Sequence, residues 1–245
     1  MLDIEQGLAS AVQHFWKTRR KQTKRQGAKT GKKDAGNRSA VTGGKHADGF
    51  VALIAAIVGD AGIKDVSIKA AAKKDRTLPG FYRPSKEWDL IVLSGDQLIA
   101  VIEVKSQVGS FGNNFNNRVE EALGNAADFW AAYAKGMYAP SARPWLGYLF
   151  MLEGNEMSLR ETREIQLTSF KVDEAFQLRS YAKRYELVCE RLVRERQYDA
   201  ACFFTSNGVD GLKGKFDEPN PELGIRHFAV SLHARAAAIA AIRGA

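Results

Sequence analysis

The apolar positions along the chain follow two patterns, one typical of strands and one typical of helices. Near-continuous apolar runs predict strands at residues 66–70, 88–93, 98–105, 145–152 and 200–205. Runs without alternation are typical of strands whose two faces are both covered. We therefore expect a central sheet with helices on either side.

Helical spacing of apolar residues predicts the covering helices. Their expected bounds are residues 3–26, 46–61, 117–135, 175–197 and 222–242. Gly62 is a typical stop for the second helix, because glycine readily adopts the left-handed backbone that ends a helix. The longer segments between these elements are expected to be loops, at residues 27–45, 71–87, 106–116, 153–173 and 206–221.

No repeat or break in composition divides the chain. Its elements follow the order α-α-β-β-β-α-β-α-β-α, which mixes neighbouring strands with strands that are separated by helices. We predict a single α/β domain over residues 1–245, with a mixed central β-sheet flanked by helices on both faces.

Most of the excess of positive over negative charge lies near the N-terminus. The net charge is +8, and residues 1–50 hold 11 of the 36 Lys and Arg but only 4 of the 28 Asp and Glu. Residues 17–33 contain no acid, and their basic positions include Lys21, Lys24 and Arg25. Such asymmetry indicates an anionic partner, most often nucleic acid, although a solvated basic helix or tail would show the same pattern.

Composition narrows the class of protein further. Cys189 and Cys202 show no pairing pattern and are expected to be buried thiols in a reducing compartment. No apolar run is long enough for a membrane span, and the N-terminus lacks the features of a signal peptide, so we expect a cytoplasmic protein with no membrane partner. No nucleotide-binding glycine motif, zinc-ligand spacing or Ser-His-Asp arrangement is found.

Three ionisable residues interrupt the two apolar strands in the middle of the chain. A tight turn between these strands would bring Asp89, Glu103 and Lys105 to one end of the sheet. Two carboxylates, with the Val104 carbonyl as a third oxygen, form the type of ligand set that Mg²⁺ prefers. Alternation puts Lys105 on the same face as Glu103, where it would hold or deprotonate the attacking water, and a bound cation beside it would lower its pKa. The pattern predicts metal-dependent hydrolysis of a phosphodiester.

A purely structural arrangement also fits these residues. In that arrangement Asp89 and Lys105 form an ion pair, and Glu103 lies at a solvated end of its strand. Buried charges are costly unless they are paired or bound to metal, so the apolar surroundings favour the metal site.

An asparagine-rich run follows the second strand. Its polar members are Asn113, Asn114, Asn116, Asn117 and Arg118. Asparagine pairs with adenine and arginine with guanine in the major groove, so the run predicts contact with DNA bases. Asn116 or Asn117 would also serve as the N-cap of the following helix, although capping needs only one such residue.

The loop before Asp89 offers further contacts with DNA. Arg83 and Lys86 are expected to reach phosphates or bases, with a surface turn anchored by Phe81 and Tyr82 as an equal alternative.

Two more acids are candidates for an auxiliary role. Asp48 opens the second helix and Glu121 lies near the start of the third. Each would also fit a structural role, since an acid in the first turn of a helix complements the helix dipole.

These motifs resemble the XhoI-type Type II restriction endonucleases, members of the PD-(D/E)xK nuclease superfamily. The resemblance is carried by residues 41–49 (VTGGKHADG), 78–89 (LPGFYRPSKEWD) and 103–122 (EVKSQVGSFGNNFNNRVEEA). It continues more weakly at residues 144–147 and 180–186, and covers roughly residues 8–205. Trp88 stands where the superfamily pattern has proline, and the segment 109–111 is one residue shorter than in the family.

The resemblance implies a fold and a reaction. The fold would have a restriction-endonuclease-like core in which Asp89 and Glu103 ligate Mg²⁺ and Lys105 serves the water. The reaction would be double-strand cleavage of the palindrome CTCGAG after its first C, which leaves four-base 5′ overhangs. Gln107 would join the asparagine run in contacting DNA, and the basic segment 17–45 would clamp the duplex.

The resemblance also implies partners. A palindrome cut on both strands implies a homodimer on double-stranded DNA, with a cognate DNA methyltransferase as functional partner. The alternatives are a structure-specific or repair nuclease of the same fold and a catalytically silent DNA-binding protein. The intact Asp89, Glu103 and Lys105 argue against the silent protein.

Overall fold

Helices begin and end the described part of the chain, and the strands lie between them. The computed structural model describes residues 2–30 and 47–244. The helices in these ranges are α1 (Ile4–Thr30), α2 (Asp48–Asp60), α3 (Phe111–Ala134), α4 (Glu156–Leu159), α5 (Tyr181–Arg194) and α6 (Ile225–Gly244). The strands are β1 (Val66–Lys69), β2 (Thr77–Pro79), β3 (Ser85–Glu87), β4 (Leu90–Ser94), β5 (Gln97–Gln107), β6 (Trp145–Glu153) and β7 (Ala200–Ser206).

Five of these strands form one mixed sheet in the order β1-β4-β5-β6-β7. The pairs β1–β4 and β4–β5 are antiparallel, and the pairs β5–β6 and β6–β7 are parallel. The predicted mixed sheet is therefore confirmed. Its central strand is β5, which carries Glu103 and Lys105.

Helices cover both faces of the sheet and bury two separate cores. On one face α1, α2 and α6 pack around Phe15, Phe50 and Phe228. On the other face α3 and α5 pack around Phe129 and Tyr185. Side chains of β6 alternate between the two cores, and every position of this strand but the last is buried. Burial on both faces is the reason why the strand sequences are continuously apolar.

The first helix places basic side chains near the C-terminal end of β7. Its apolar stripe is buried as far as Trp16, whose Nε1 donates to Ser206 Oγ at 3.1 Å. Beyond this anchor, within residues 17–23, the exposed positions of α1 are the basic Lys17, Arg20 and Lys21 and the uncharged Thr23. The helix continues to Thr30, so residues 27–30 are not part of a loop as predicted. The rest of that predicted loop lies outside the described residues.

Other expected boundaries also differ from the structure. Residues 71–87 were expected to be loop, but contain a separate hairpin in which β2 pairs with β3. Both strands are too short to show an alternating pattern. The helices α5 and α6 begin later than predicted, because residues 174–176 and 221–223 form separate 3₁₀ turns.

The asparagine-rich run lies in a helix rather than in the predicted loop. Strand β5 extends to Gln107, and α3 begins at Phe111. Ser110 is the residue at the N-cap position, with a φ angle of 50°. Neither Asn116 nor Asn117 caps the helix, so that alternative is wrong.

Packing explains why this helix begins so early. Asparagine has a low intrinsic helix propensity, which obscures the helix in the sequence pattern. Phe111 is buried in the core, and the ring centroid of Phe115 lies 5.0 Å from that of Tyr185 on α5. Burial of an apolar face stabilises a helix more than propensity does. The packing of these two rings therefore makes the asparagine-rich segment part of α3.

The structure shows the state of the two cysteines and the character of the described helices. Cys189 and Cys202 are buried free thiols, as predicted. Among the described helices, none combines the length and apolar character that a membrane span requires.

The crossing of α1 and α2 depends on a glycine. A Cβ atom at Gly49 would lie 2.9 Å from the Cα atom of Ala11 and 3.2 Å from the Cβ atom of His14. We expect Gly49→Ala to lower the free energy of unfolding by about 1–3 kcal/mol, because the two helices would have to move apart. The matched control is Gly59→Ala in the same helix, where the new Cβ meets open space and stability should rise by up to about 1 kcal/mol. Urea denaturation measures both changes, and an unchanged stability of Gly49→Ala would contradict the close crossing.

Candidate active site

The three residues predicted for catalysis meet at one end of the sheet. Asp89 directly precedes β4, and the antiparallel pairing of Leu90 with Ile102 sets it beside Glu103. Lys105 lies two positions further along β5, so its side chain is on the same face as that of Glu103. Its Nζ atom is 2.5 Å from Glu103 Oε1.

The backbone of Val104 connects the two acids. Its N–H donates to Asp89 Oδ2 at 2.8 Å. Because a strand residue directs its N–H and C=O groups to the same side, the Val104 carbonyl also faces the Asp89 side of β5. The oxygen-bearing groups predicted as ligands, from Asp89, Glu103 and Val104, therefore lie close together.

Glu103 is the deeply buried acid of this cluster, with 1% of its surface exposed. Two ammonium groups face its carboxylate, Lys105 at 2.5 Å from Oε1 and Lys86 at 3.2 Å from Oε2. Burial raises the pKa of Glu103, the negative charge of Asp89 raises it further, and the two lysines oppose both effects. The alternative that places Glu103 at a solvated strand end is wrong.

Lys105 is held in its charged form. Burial by itself lowers the pKa of Lys105, but the carboxylates of Glu103, Asp89 and Glu121 outweigh it, and the net shift is upward. The lowered pKa expected beside a bound cation is therefore not produced by the protein groups alone. Both predicted roles of Lys105, holding the water and deprotonating it, therefore stay predictions.

Glu121 lies at the site and orients Lys105 from α3. Its Oε1 is 3.0 Å from Lys105 Nζ, and its Oε2 is 2.7 Å from Arg118 Nη1. Burial raises the pKa of Glu121, but these two cations lower it by more, so the net shift is downward. As an ionised group Glu121 holds Lys105 in place rather than supplying a proton. Arg118, predicted to contact DNA, is bound to Glu121 in this arrangement.

The position of Lys86 differs from its predicted place on a DNA-facing loop. It lies on β3 with its side chain 12% exposed. Its Nζ donates to the Glu87 carbonyl at 3.0 Å and stands 4.6 Å from the ring centroid of Trp88. With its contacts to both oxygens of Glu103, Lys86 is part of the carboxylate cluster.

The loop before β3 is ordered by a buried aspartate on α3. Asp128 accepts hydrogen bonds from the backbone N–H groups of Phe81 (2.9 Å) and Tyr82 (2.7 Å) and from Arg83 Nε (2.8 Å). Phe81 is 45% exposed and Tyr82 is 74% exposed, so they do not anchor the turn as the alternative supposed. Arg83 and Asp128 anchor it instead, and a contact between Arg83 and DNA remains a prediction.

Three of the asparagines form an exposed stripe on α3. Asn113, Asn116 and Asn117 are exposed, and their i, i+3, i+4 spacing puts them on one side of the helix. Asn114 is partly buried, and its Nδ2 donates to the Ser110 carbonyl at 2.9 Å. We call Asn113, Asn116 and Asn117 the asparagine stripe.

Gln107 is not available as a DNA contact in this structure. It is buried, and its amide donates to the Gly109 carbonyl in the turn between β5 and α3. The turn is tight because Gly109 and Ser110 both have positive φ angles. Gln107 therefore shapes the turn that leads into α3.

The other predicted residues lie away from the carboxylates or outside the described side chains. Asp48 is exposed in the first turn of α2, and none of its described contacts joins it to Asp89 or Glu103, which favours the helix-dipole interpretation. Lys21 is exposed on α1. The side chains of Lys24 and Arg25 lie outside the described residues.

Two residues of the site region were missed or misplaced by the sequence pattern. Lys86 contacts Glu103 across 17 positions of sequence, and Asp128 orders a loop more than 40 positions before it. For Asp128 a weak signal existed, since it is an acid between Ala126 and Phe129 on a largely apolar helix face. For Lys86 the short strand β3 gave no periodic signal.

The ligand set fits a hard divalent cation. Carboxylate and carbonyl oxygens are the ligands that Mg²⁺ prefers, and this ion usually keeps several waters. Within residues 2–30 and 47–244 no three or more His, Cys, Asp and Glu side chains are grouped for metal binding. The available set is two carboxylates and one backbone carbonyl, from Asp89, Glu103 and Val104.

The chain matches a family model described as restriction endonuclease XhoI over residues 25–218. It belongs to the XhoI restriction endonuclease family. The matched range contains the carboxylate cluster and the asparagine stripe. Membership confirms the predicted enzyme class, a Type II restriction endonuclease that cleaves DNA site-specifically.

Similar proteins carry the same description. The chain is 43% identical to the Type II restriction enzyme BstVI of Geobacillus stearothermophilus over 86% of its own length and 95% of that protein. It is also 43% identical to the Type II restriction enzymes XhoI of Xanthomonas vasicola (64% of each chain) and AbrI of Azospirillum brasilense (62% of this chain, 68% of that protein). No solved structure shows significant similarity to the chain.

Proposed function

We propose that this XhoI-family endonuclease uses Mg²⁺ to cleave both strands of DNA at the palindrome CTCGAG, leaving four-base 5′ overhangs. The observation that carries the metal-dependent step is the convergence of Asp89, Glu103 and the Val104 carbonyl beside the Lys105 ammonium. The resemblance of residues 103–122 to the family supports the sequence that is cut.

Each group at this centre has a defined task in the proposed hydrolysis. Asp89 and Glu103 would hold the ion, which when bound neutralises phosphate charge and activates a water. Lys105 would hold the attacking water or a phosphate oxygen by a hydrogen bond, or would deprotonate the water. Glu121 fixes its direction through the 3.0 Å contact. Orientation of this kind contributes to the rate because it removes the cost of assembling the reacting groups.

A digest of plasmid DNA tests this function. With purified protein and Mg²⁺, we expect discrete fragments whose sequenced ends begin with a four-base TCGA overhang. Glu103→Gln and Lys105→Ala should each lower the cleavage rate by about 10²–10³-fold or more while DNA binding persists. The matched control is Lys64→Ala, an exposed lysine near β1, which should cleave at the wild-type rate.

Other outcomes of the digest would overturn the proposal. Cleavage confined to branched DNA would indicate a structure-specific nuclease. Bound but uncut DNA, with Lys105→Ala no different from the wild type, would indicate a silent DNA-binding protein. Discrete fragments with other end sequences would keep the endonuclease and reject CTCGAG.

We infer that the asparagine stripe reads base edges. The stripe is exposed on the first turns of α3, and the same helix supplies Glu121 and Arg118 to the Lys105 site. A helix fits the major groove, where an asparagine amide pairs with adenine through two hydrogen bonds. A DNA helix that contacts this stripe would therefore lie next to the carboxylate cluster.

The basic half of α1 is proposed to hold the phosphate backbone. Its exposed residues Lys17, Arg20 and Lys21 follow the anchor that Trp16 makes with Ser206 at the end of β7. The C-terminal ends of the parallel strands β5, β6 and β7 lie side by side at this end of the sheet. Lys105 lies near the C-terminal end of β5. Lysine and arginine at such a place add affinity that does not depend on base sequence.

Two matched variants distinguish recognition of the bases by the asparagine stripe from binding of the phosphate backbone by α1. Asn117→Ala should relax the preference for the cleaved sequence by about 10-fold or more, with little change in affinity for unrelated DNA. Lys21→Ala should weaken binding to all sequences alike and reduce the salt slope by about one unit. Binding measured at several salt concentrations, on cognate and unrelated duplexes, distinguishes the two. A uniform loss in Asn117→Ala would contradict base reading by the stripe.

Cleavage of a palindrome on both strands further suggests a homodimer, with a cognate methyltransferase as functional partner. We propose residues 157–178, here called the arm, as the surface that meets a second copy. Large apolar side chains are exposed along the arm, at Met157, Leu159, Leu167, Phe170 and Leu178.

Charge and order in the arm favour a second copy over DNA as its partner. The arm contains three basic and four acidic side chains. Two copies of a basic protein would therefore meet here without strong repulsion, whereas DNA would find no net positive charge. The arm is ordered by its own contacts, since the Gln177 amide exchanges two 2.9 Å hydrogen bonds with the backbone of Ile165. It also packs on α3 through Phe176 and Phe115.

Analytical ultracentrifugation tests the interface. Phe170→Asp, at a side chain that is 83% exposed, should raise the dimer dissociation constant by about 10-fold or more. The control is Val230→Asp on α6, also exposed but on the opposite face of the sheet, which should leave the dimer intact. A wild-type dimer that is unaffected by Phe170→Asp would exclude the arm.

A further inference from the structure

A second lysine faces the buried carboxylate, beside the one that the sequence pattern identifies. Lys86 Nζ lies 3.3 Å from Oε1 and 3.2 Å from Oε2 of Glu103. Lys105 contacts Oε1 of the same group at 2.5 Å. One carboxylate is thus shared by two ammonium groups.

The two lysines differ in their other partners. Lys105 has a second acid, Glu121, at 3.0 Å. In the described part of the chain the ion pair of Lys86 is with Glu103 alone. The neighbouring Glu87 is already paired with Lys73 and Arg76.

A divalent cation on Glu103 would therefore affect the two lysines unequally. Lys105 would keep Glu121 as its counter-ion, whereas Lys86 would lose its acid and face a double positive charge. A largely buried ammonium without a counter-ion is costly. Lys86 then requires another anion, and in an endonuclease the anion that enters with the substrate is a DNA phosphate.

We propose that Lys86 is a tethered counter-ion of the metal site. It neutralises Glu103 while no metal is bound, and it passes to an oxygen of the DNA phosphate when the cation takes its place. The first half depends on the carboxylate cluster alone, and the second half rests on the proposed function.

The surroundings of Lys86 allow its side chain to move while its backbone stays fixed. Trp88 N–H donates to the Arg76 carbonyl at 2.9 Å, and Arg76 Nη1 donates to the Trp88 carbonyl at 2.6 Å, so the chain just after Lys86 is held on both sides. The lysine stem is flexible and its ammonium offers three donors. The Trp88 face and the Glu87 carbonyl remain as partners during the transfer.

Calorimetric titration of Mg²⁺ into the DNA-free protein tests the first half. Lys86→Met should bind the ion about 10-fold more tightly than the wild type, because a competing positive charge is removed. Lys86→Arg, which keeps the charge, should stay within about threefold of the wild type. Lys73→Met is the matched control on the same segment, since Lys73 is exposed and pairs with Glu87 rather than with Glu103, and its affinity should not change.

Thermal unfolding covers the case in which Lys86→Met is poorly folded without metal. Its midpoint should then rise more steeply with Mg²⁺ concentration than that of the wild type, since the ion replaces the missing ammonium. An affinity that is unchanged or weaker in Lys86→Met, with no steeper rise of the midpoint, would overturn the proposal.

Cleavage rates at saturating Mg²⁺ test the second half. Lys86→Met should be slower by about 10–100-fold, because a phosphate-neutralising cation is lost although the ion binds more tightly. A wild-type rate in Lys86→Met would overturn the transfer to phosphate. If the wild type binds Mg²⁺ but cuts no DNA, the proposed function fails, and the titration still decides whether Lys86 competes with the ion.

Discussion

The carboxylate of Glu103 is the charge around which the site is built. An acid in the interior of a sheet is costly unless opposite charges or a metal compensate it. Separate elements supply that compensation, with Lys105 from β5 and Lys86 from β3. The Val104 N–H fixes Asp89 next to it. The need to neutralise one buried group therefore determines how β3, β4 and β5 meet.

Helix α3 connects this centre with the surface that is proposed to read DNA. Towards the sheet it presents Glu121 to Lys105, and towards solvent it presents the asparagine stripe. Two turns further on, Asp128 fixes the loop that leads to β3 and Lys86. Because a helix is rigid over such distances, a shift of the stripe against DNA would also displace the groups of α3 that contact Lys105 and the loop. Recognition and hydrolysis would thus share one rigid element.

Prediction from sequence succeeded where a short-range repeat carries the information. The alternation of a strand places Glu103 and Lys105 on one face, and the tight turn between β4 and β5 brings Asp89 beside them. Prediction from sequence failed where helix propensity and tertiary packing disagree. The asparagines disfavour a helix, yet the burial of Phe111 and Phe115 makes them part of one.

The sequence by itself determined the α/β class and the shared face of Glu103 and Lys105, because both follow from periodicities of two or 3.6 residues within single elements. It also placed Asp89 beside them, through the short turn between two apolar strands. Only the tertiary structure decided that Lys86 shares the carboxylate of Glu103, that Glu121 orients Lys105, and that Gln107 is turned inward. These are contacts between side chains on different elements or in an irregular turn. Their partners are selected by burial and charge compensation in three dimensions, which no local pattern along the chain records.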